Sequence, residues 1–490
     1  MRYRRRLRRF GRIVPRRLRG VSVRRIRWGL ALSLGFVSLA LAGAAFGPAM
    51  VRSLMVGLDP ERASLRAALE PAGAAPMRSG YARRDFRPIW LRGGKARPET
   101  QEILRMMTQS RLDGLDPQRY ETETLIRRVQ GASSASWADR AQTELMVTGS
   151  FARYLADLHL PPPAAQLIYT DAALRGPVAP TVGQLLSYID AAPSLEGAVQ
   201  GAVRMNPLYL QYRRLAAPLL QNPAHPLRLT ILANLERLRA LPVNPGRRFI
   251  LVDTANARLW MFQDGQPVDT MKVIVGKPDE ATPMLAGVVR YAMFNPRWNV
   301  PPDLVQKVYA PRFEAQPQAL AALHMDPWTD YSANARQLDP SSIRWEDVAA
   351  GRLALGLRQR PGPDNAMGAV KFMLPNELGI YLHDTPNKAL FQKPIRMFSA
   401  GCVRVEDFRR LARWLYGRDD MGPRGGAADQ RIDVPSPAPV YITYLTANFD
   451  HGRLIQTADI YGRDAALQSQ LRTGQAVGQT PAYLSTDGAP

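Results

Sequence analysis

One cysteine occurs in the 490 residues: Cys402, within FSAGCVRV at 398–405. A lone cysteine has no intramolecular disulfide partner, so it is either a small buried hydrophobe or a thiol kept for its chemistry. A nucleophilic thiol needs a base for its proton and donors for the charge that develops on the substrate. Five histidines are available, His159, His225, His324, His383 and His451. His383 closes the strand-like run GIYLHDTP, 19 residues before Cys402. That interval accommodates a strand, a loop and a return, so the imidazole can reach the sulfur and lower its pKa from the free value of about 8.5. Ser399-Ala400-Gly401-Cys402 supplies consecutive backbone amides in a tight turn, and Gly401 admits dihedrals closed to other residues. On spacing alone the structural alternative stays open, a core thiol and an unrelated histidine. Other chemistries have no signature. There is no CxxC or HExxH ligand spacing, no Gly-rich phosphate loop and no GxSxG elbow, so neither a metal nor a cofactor is expected.

The elements that must carry this pair form an α+β chain. Residues 81–240 read as a helical domain. PETQEILRMMTQSRL stops at DGLDP, and SWADRAQTELMVTGSFARYLADLHL ends at Pro161–Pro163. AHPLRLTILANLERLRAL places Ile231, Leu235 and Leu238 on one face. From residue 247 the period changes. RRFILVDTANARLWMFQDGQPVDTMKVIVG reads as three short strands with a turn at Asp264-Gly265. This β-rich domain runs over 247–446, ending near APVYITYLTANF. Within it, 303–367 is Pro-rich and less strand-like, with helical stretches such as PQALAALHM, and reads as an insertion over a face of the sheet. Residues 447–490 form a C-terminal extension whose last 25 or so residues read as loosely ordered.

The charge is uneven. Residues 1–27 hold 13 arginines and no acid, more than half of the formal +23. Residues 28–50, WGLALSLGFVSLALAGAAFGPAM, hold no charged residue. About 20 apolar residues in a helix span a bilayer, and a basic flank stays on the cytoplasmic side. A nucleic-acid arm does not explain the apolar run beside it, so no nucleic-acid partner is expected. The segment therefore anchors the chain in a membrane; a cleavable signal is the alternative, since ALAG at 40–43 offers a cleavage site. Residues 51–80 are a tether, and residues 51–490 lie outside the cytoplasm. A lone cysteine there sits in an oxidising compartment without a partner.

The stretch HDTPNKALFQKPIRMFSAGCVRV resembles the active-site signature of the L,D-transpeptidases, YkuD-type cysteine enzymes that remodel peptidoglycan. FNPRWNVPPDL (294–304), RQRPGPDNAMGAVKFMLPN (358–376) and GIYLHDTP (379–386) resemble stretches of that family's large periplasmic branch. The resemblance implies a β-rich YkuD-type catalytic domain with an inserted substrate-capping subdomain acting as a lid, beside a helical scaffold domain. It assigns Cys402 as nucleophile, His383 as general base and Asp384 as the residue whose backbone carbonyl orients the imidazole. Gly401 and Cys402 amides, with the Tyr381 hydroxyl, form the oxyanion hole beside Ser399. Arg404 organises the site or meets a substrate carboxylate, a structural salt bridge being the alternative. Trp298, Asn299 and Phe372 line the cleft, with core packing as the alternative for Trp298 and Phe372, and a turn role for Asn299. Two features depart from the family pattern. Ala400 stands where some members have a second histidine, and the small peptidoglycan-binding module has no room between the domains.

The implied activity joins peptidoglycan stem peptides through a Cys thioester, by family default between two diaminopimelate residues. A cross-link made through L-Ala is the rival product. A carboxypeptidase or D-amino-acid exchange enzyme, and a non-enzymatic wall-binding scaffold, are the competing classes. Carbapenem-type inhibitors are expected to acylate the cysteine; no protein partner is indicated.

Overall fold

The structure, a computed structural model, describes residues 56–71, 74–422, 426–450 and 452–473. The basic arm 1–27 and the apolar segment 28–50 lie outside the described residues. Among the described residues no helix is long and apolar enough to cross a membrane.

Helices dominate from residue 60 to 239, and their ends follow local chemistry. Ser136 caps Trp137–His159 by accepting from the Asp139 amide at 3.1 Å, and the helix stops just before Pro161. Val147, Phe151, Tyr154, Leu155 and Leu158 lie on its buried face. Glu144, buried on the same helix, accepts from the Tyr81 hydroxyl at 2.9 Å and from the Trp90 and Leu91 amides at 3.1 Å, tying segment 81–91 to it. Helix Arg228–Arg239 departs from the one-faced pattern. Ile231, Leu235 and Leu238 are buried, and so are Asn234, Glu236, Arg237 and Arg239. The cause is a cover on its second side. Arg237 pairs with Asp464 at 2.6 Å, and Asn234 bonds the Thr446 amide and hydroxyl at 2.9 and 3.1 Å. Asp464–Thr473 is a helix packed here through Leu467, so this part of the extension is not the loose coil its polar sequence suggested.

Eight strands of the β-rich half close into a ring. β1 (Arg248–Asp253), β2 (Arg258–Gln263) and β3 (Gln266–Gly276) form an antiparallel meander. Asp264 and Gly265, both at positive φ (50° and 78°), make the tight turn between β2 and β3. β4 (Leu285–Phe294), β5 (Val370–Met373), β6 (Leu382–His383), β7 (Val403–Val405) and β8 (Gln430–Thr443) complete the set. The order is β5-β6-β7-β3-β2-β1-β8-β4, and β5 pairs back onto β4. Val273, Val289, Phe294, Phe372, Leu382, Val403 and Val440 share one core, into which helix Phe408–Tyr416 drives Leu411 and Leu415. Each such side chain contributes about 1.5–3 kcal/mol of burial.

Between β4 and β5 the chain builds a small subdomain. Trp298–Asn299, Gly356–Gln359 and Met325–Trp328 form a three-stranded antiparallel sheet in that order. Phe313, Leu320 and Trp345 from short helices pack with Val300 and Leu357 as a separate core. The insertion is thus richer in strand than its composition suggested. Met325–Trp328 is an edge strand of this sheet, a position that tolerates Pro327.

Candidate active site

β6 runs parallel to β7 in the register Leu382↔Val403 and His383↔Arg404, and antiparallel to β5 in the register Lys371↔His383 and Phe372↔Leu382. Parallel neighbours need a crossover of about a dozen residues or more, which accounts for the long interval between His383 and Cys402. Phe372, Leu382 and Val403 are fully buried and fix which face is core. By alternation, Lys371, His383 and Arg404 form a row on the opposite face. Tyr381 and Cys402 stand one step along, linked by the Val403 amide donating to the Tyr381 carbonyl at 3.1 Å. Cys402 and His383 are therefore diagonal neighbours on a common face. Such Cβ atoms lie about 7–8 Å apart in a sheet, a gap the two side chains can bridge.

The imidazole is oriented by the chain itself. His383 Nδ1 lies 2.6 Å from the Asp384 carbonyl. A carbonyl only accepts, so Nδ1 carries the hydrogen and Nε2 keeps its lone pair in the neutral ring. Burial pushes the His383 pKa down to about 3, and the Arg404 and Lys371 cations push the same way. The ring is neutral at physiological pH. Burial pushes the Cys402 thiol up, opposed by hydrogen bonds from Tyr381 and by the charges of Arg404 and Lys371. The resting pair is thus thiol and neutral imidazole. At rest Cys402 Sγ donates to the Gly379 carbonyl at 3.5 Å. The Tyr381 ring meets the His383 ring edge-on, centroids 5.6 Å apart.

The turn that presents the thiol is pinned at several points. Gly401 has φ +100°, a region L side chains rarely adopt. Its carbonyl accepts from the Thr282 hydroxyl at 2.8 Å. Ser399 is buried; its hydroxyl donates to the Cys402 carbonyl at 2.5 Å and its carbonyl accepts from the Lys277 amide at 2.9 Å. Ser399 therefore stitches the turn and does not face the cleft. The Asp384 carboxylate accepts from the Ala369 amide at 2.9 Å and from Lys388 Nζ at 2.6 Å. Gly368, at φ +60°, presses against it with no room for a Cβ.

Other expected site residues are scattered. Phe372 does not line the cleft: it is fully buried in the ring core, because alternation turns it inward and its neighbour Lys371 outward. Trp298 is half-buried against Tyr309 of the insertion, centroids 6.0 Å apart, and Asn299 is an exposed strand residue opposite Arg358. Arg404 is half-buried with its Nε lacking a hydrogen-bond partner, and no carboxylate pairs with it among the described residues. His159 and His225 belong to the helical half and His324 to the insertion; His451 lies outside the described residues. Among the described residues no group of three or more His, Cys, Asp or Glu could hold a metal. Lys371 went unnoticed in sequence; the signal was a single charge between the apolar Val370 and Phe372, whose strand alternates in burial.

The site is a closed β-rich ring that carries a thiol and an oriented, neutral imidazole on one face. Residues 247–442 match the family described as YkuD, the L,D-transpeptidase catalytic domain, and residues 75–215 match a Scaffold domain. Residues 247–442 are thus similar to L,D-transpeptidase catalytic domains. A Haemophilus influenzae protein described as "Putative L,D-transpeptidase" is 33% identical over 237 residues, 47% of this chain and 47% of that one. The chain thus spans about half the length of the curated relative it matches. A solved structure described as the Ldtfm–avibactam carbamoyl enzyme covers 41% of this chain and 50% of its own, at 13% identity and TM-score 0.19, too slight a likeness to carry weight.

Proposed function

We propose that this protein is a peptidoglycan L,D-transpeptidase that joins stem peptides through a thioester on Cys402. His383 Nε2 takes the thiol proton as sulfur attacks the carbonyl before a D-residue. The carbonyl electron pair moves onto oxygen, facing the Gly401 and Cys402 amides and the Tyr381 hydroxyl. Collapse of this intermediate breaks the C–N bond, and the departing amine takes the proton from His383. An amine of a neighbouring stem then attacks the thioester, gives its proton to His383, and releases the thiol. The bond energy of the cleaved peptide is kept in the acyl-enzyme, so no ATP is needed outside the cytoplasm. Lys371 and Arg404 place positive charge beside the thiol, where carboxylates of a stem peptide would be received. The capping insertion would keep water out, since hydrolysis turns the cross-linker into a carboxypeptidase. The arm 1–27 and apolar run 28–50 support periplasmic placement at the inner membrane.

The observation that carries this reading is the diagonal placement of Cys402 and His383 on one face, with Nδ1 engaged and Nε2 free. Purified muropeptides incubated with the enzyme test it by mass spectrometry. New dimers are expected, absent with Cys402→Ala, and fragmentation tells whether diaminopimelate or L-Ala supplies the linking carbonyl. Shortened monomers alone would move the assignment to a hydrolase. Wall chemistry unchanged by Cys402→Ala in cells would leave a binding scaffold.

A further inference from the structure

The turn at Cys402 is held by residues outside the matched catalytic region. In a trans peptide the carbonyl and the next amide point in opposite directions. Thr282 Oγ1, by holding the Gly401 carbonyl at 2.8 Å, therefore aims the Cys402 N–H the other way, outward from the turn. Thr282 is itself oriented, because its hydroxyl accepts from the Gly276 amide at 2.9 Å. Gly276 can be only glycine, since the Glu280 carbonyl leaves no space for a Cβ. Both residues of this support are gripped from the C-terminal extension. Tyr461 donates its hydroxyl to the Gly276 carbonyl at 2.6 Å, and Arg463 Nη2 donates to the Thr282 carbonyl at 2.9 Å.

The gripping residues are fixed in turn. The Arg463 guanidinium lies over the Tyr444 and Tyr461 rings at 5.3 and 4.8 Å, and those rings stack at 5.3 Å. Asp459 accepts from the Tyr444 hydroxyl at 2.8 Å and from the Arg463 and Asp464 amides at 2.9 Å. Asp464 then pairs with buried Arg237 of the helical half. Hydrogen bonds thus run without a break from helix Arg228–Arg239 to the peptide unit in front of the nucleophile.

We infer that Tyr461 and Arg463 are positioning residues that aim the Cys402 amide at the oxyanion, acting through Gly276 and Thr282. They touch no reacting atom. The inference rests on the acyl-transfer reading above. Its signature is selective. Acylation by a carbapenem passes through an oxyanion: sulfur bonds the lactam carbonyl, the ring C–N bond breaks, and the proton goes by way of His383 to the ring nitrogen. Alkylation by iodoacetamide forms a C–S bond and expels iodide with no oxyanion. A loosened turn therefore slows the first reaction and spares the second.

The test measures both rates on full-length protein by intact mass, with imipenem and iodoacetamide as probes. In Tyr461→Phe, Arg463→Met and Thr282→Val, imipenem acylation is expected to fall about tenfold to a hundredfold while alkylation stays within about twofold. Thr282→Ser, which keeps the hydroxyl, should restore acylation. Unchanged acylation in Tyr461→Phe and Arg463→Met overturns the inference. So does an equal loss of both rates, which marks a general collapse of the cleft. Wild-type protein that alkylates but never acylates removes the proposed function itself, and this inference with it.

Discussion

Replacing Lys371 by Met removes a charge while keeping the length of the side chain. Lys371 shares a face with Cys402 across β5, β6 and β7, and its charge favours the thiolate. Lys371 is two strand spacings across and two residues along from Cys402, about 12 Å, where two unit charges attract by about 1.4 kcal/mol at an effective dielectric constant of about 20. Solvent at the half-buried lysine reduces this to about 1 kcal/mol, a factor of about five in thiolate population. Below the thiol's ionisation the alkylation rate follows that population. Lys371→Met should therefore react with iodoacetamide about fivefold more slowly than wild type at pH 7.5. Lys371→Arg should stay near the wild-type rate. An unchanged rate in Lys371→Met would mean that the lysine does not reach the sulfur electrostatically. An equal fall in Lys371→Arg would assign the effect to packing around the Tyr381 ring, over which Lys371 Nζ sits at 5.7 Å.

Three further outcomes follow from the geometry. The base form of His383 is already dominant above about pH 4, because its folded pKa lies near 3 and not at 6.5. Acylation by imipenem should accordingly show no histidine limb between pH 5 and 7, and a rate that halves near pH 6.5 would contradict the buried neutral ring. Gly401→Ala places a Cβ at φ +100° and should lower unfolding stability by about 1–3 kcal/mol in a denaturant titration, with loss of acylation; full stability would show that the turn relaxes freely. Phe372→Ala should cost about 3–5 kcal/mol of stability with little change in KM; the opposite pattern would return Phe372 to the cleft.

The sequence made the chemistry easier to find than its surroundings. Cys402 and His383 stand out because the chain has one cysteine and few histidines, and their interval suits a crossover between parallel neighbours. The three-strand meander at 248–276 is equally legible, since FILV, LWMF and VIV are short apolar runs bounded by polar residues or glycine and Asp264-Gly265 marks the turn. Phase is harder. In VKFM a period of two does not say which face is core, so Phe372, expected to line the cleft, lies in the core. The strands of the insertion are four residues or fewer, one containing Pro327, and they persist only through the separate core of Phe313, Trp345 and Leu357. Helix Asp464–Thr473 offers little local signal, because Leu467 finds its partners Ala165 and Ala233 more than 200 residues upstream.

Helix Arg228–Arg239 and segment 459–473 fall in neither matched region, yet together they weld the two halves. Boundaries drawn from likeness to relatives would cut through this weld. A fragment ending at residue 442 would lose the strap behind the Cys402 turn, and the helical half would lose the Asp464 carboxylate that pairs with Arg237. The matched ring is therefore tied to a tail that its own boundaries leave out.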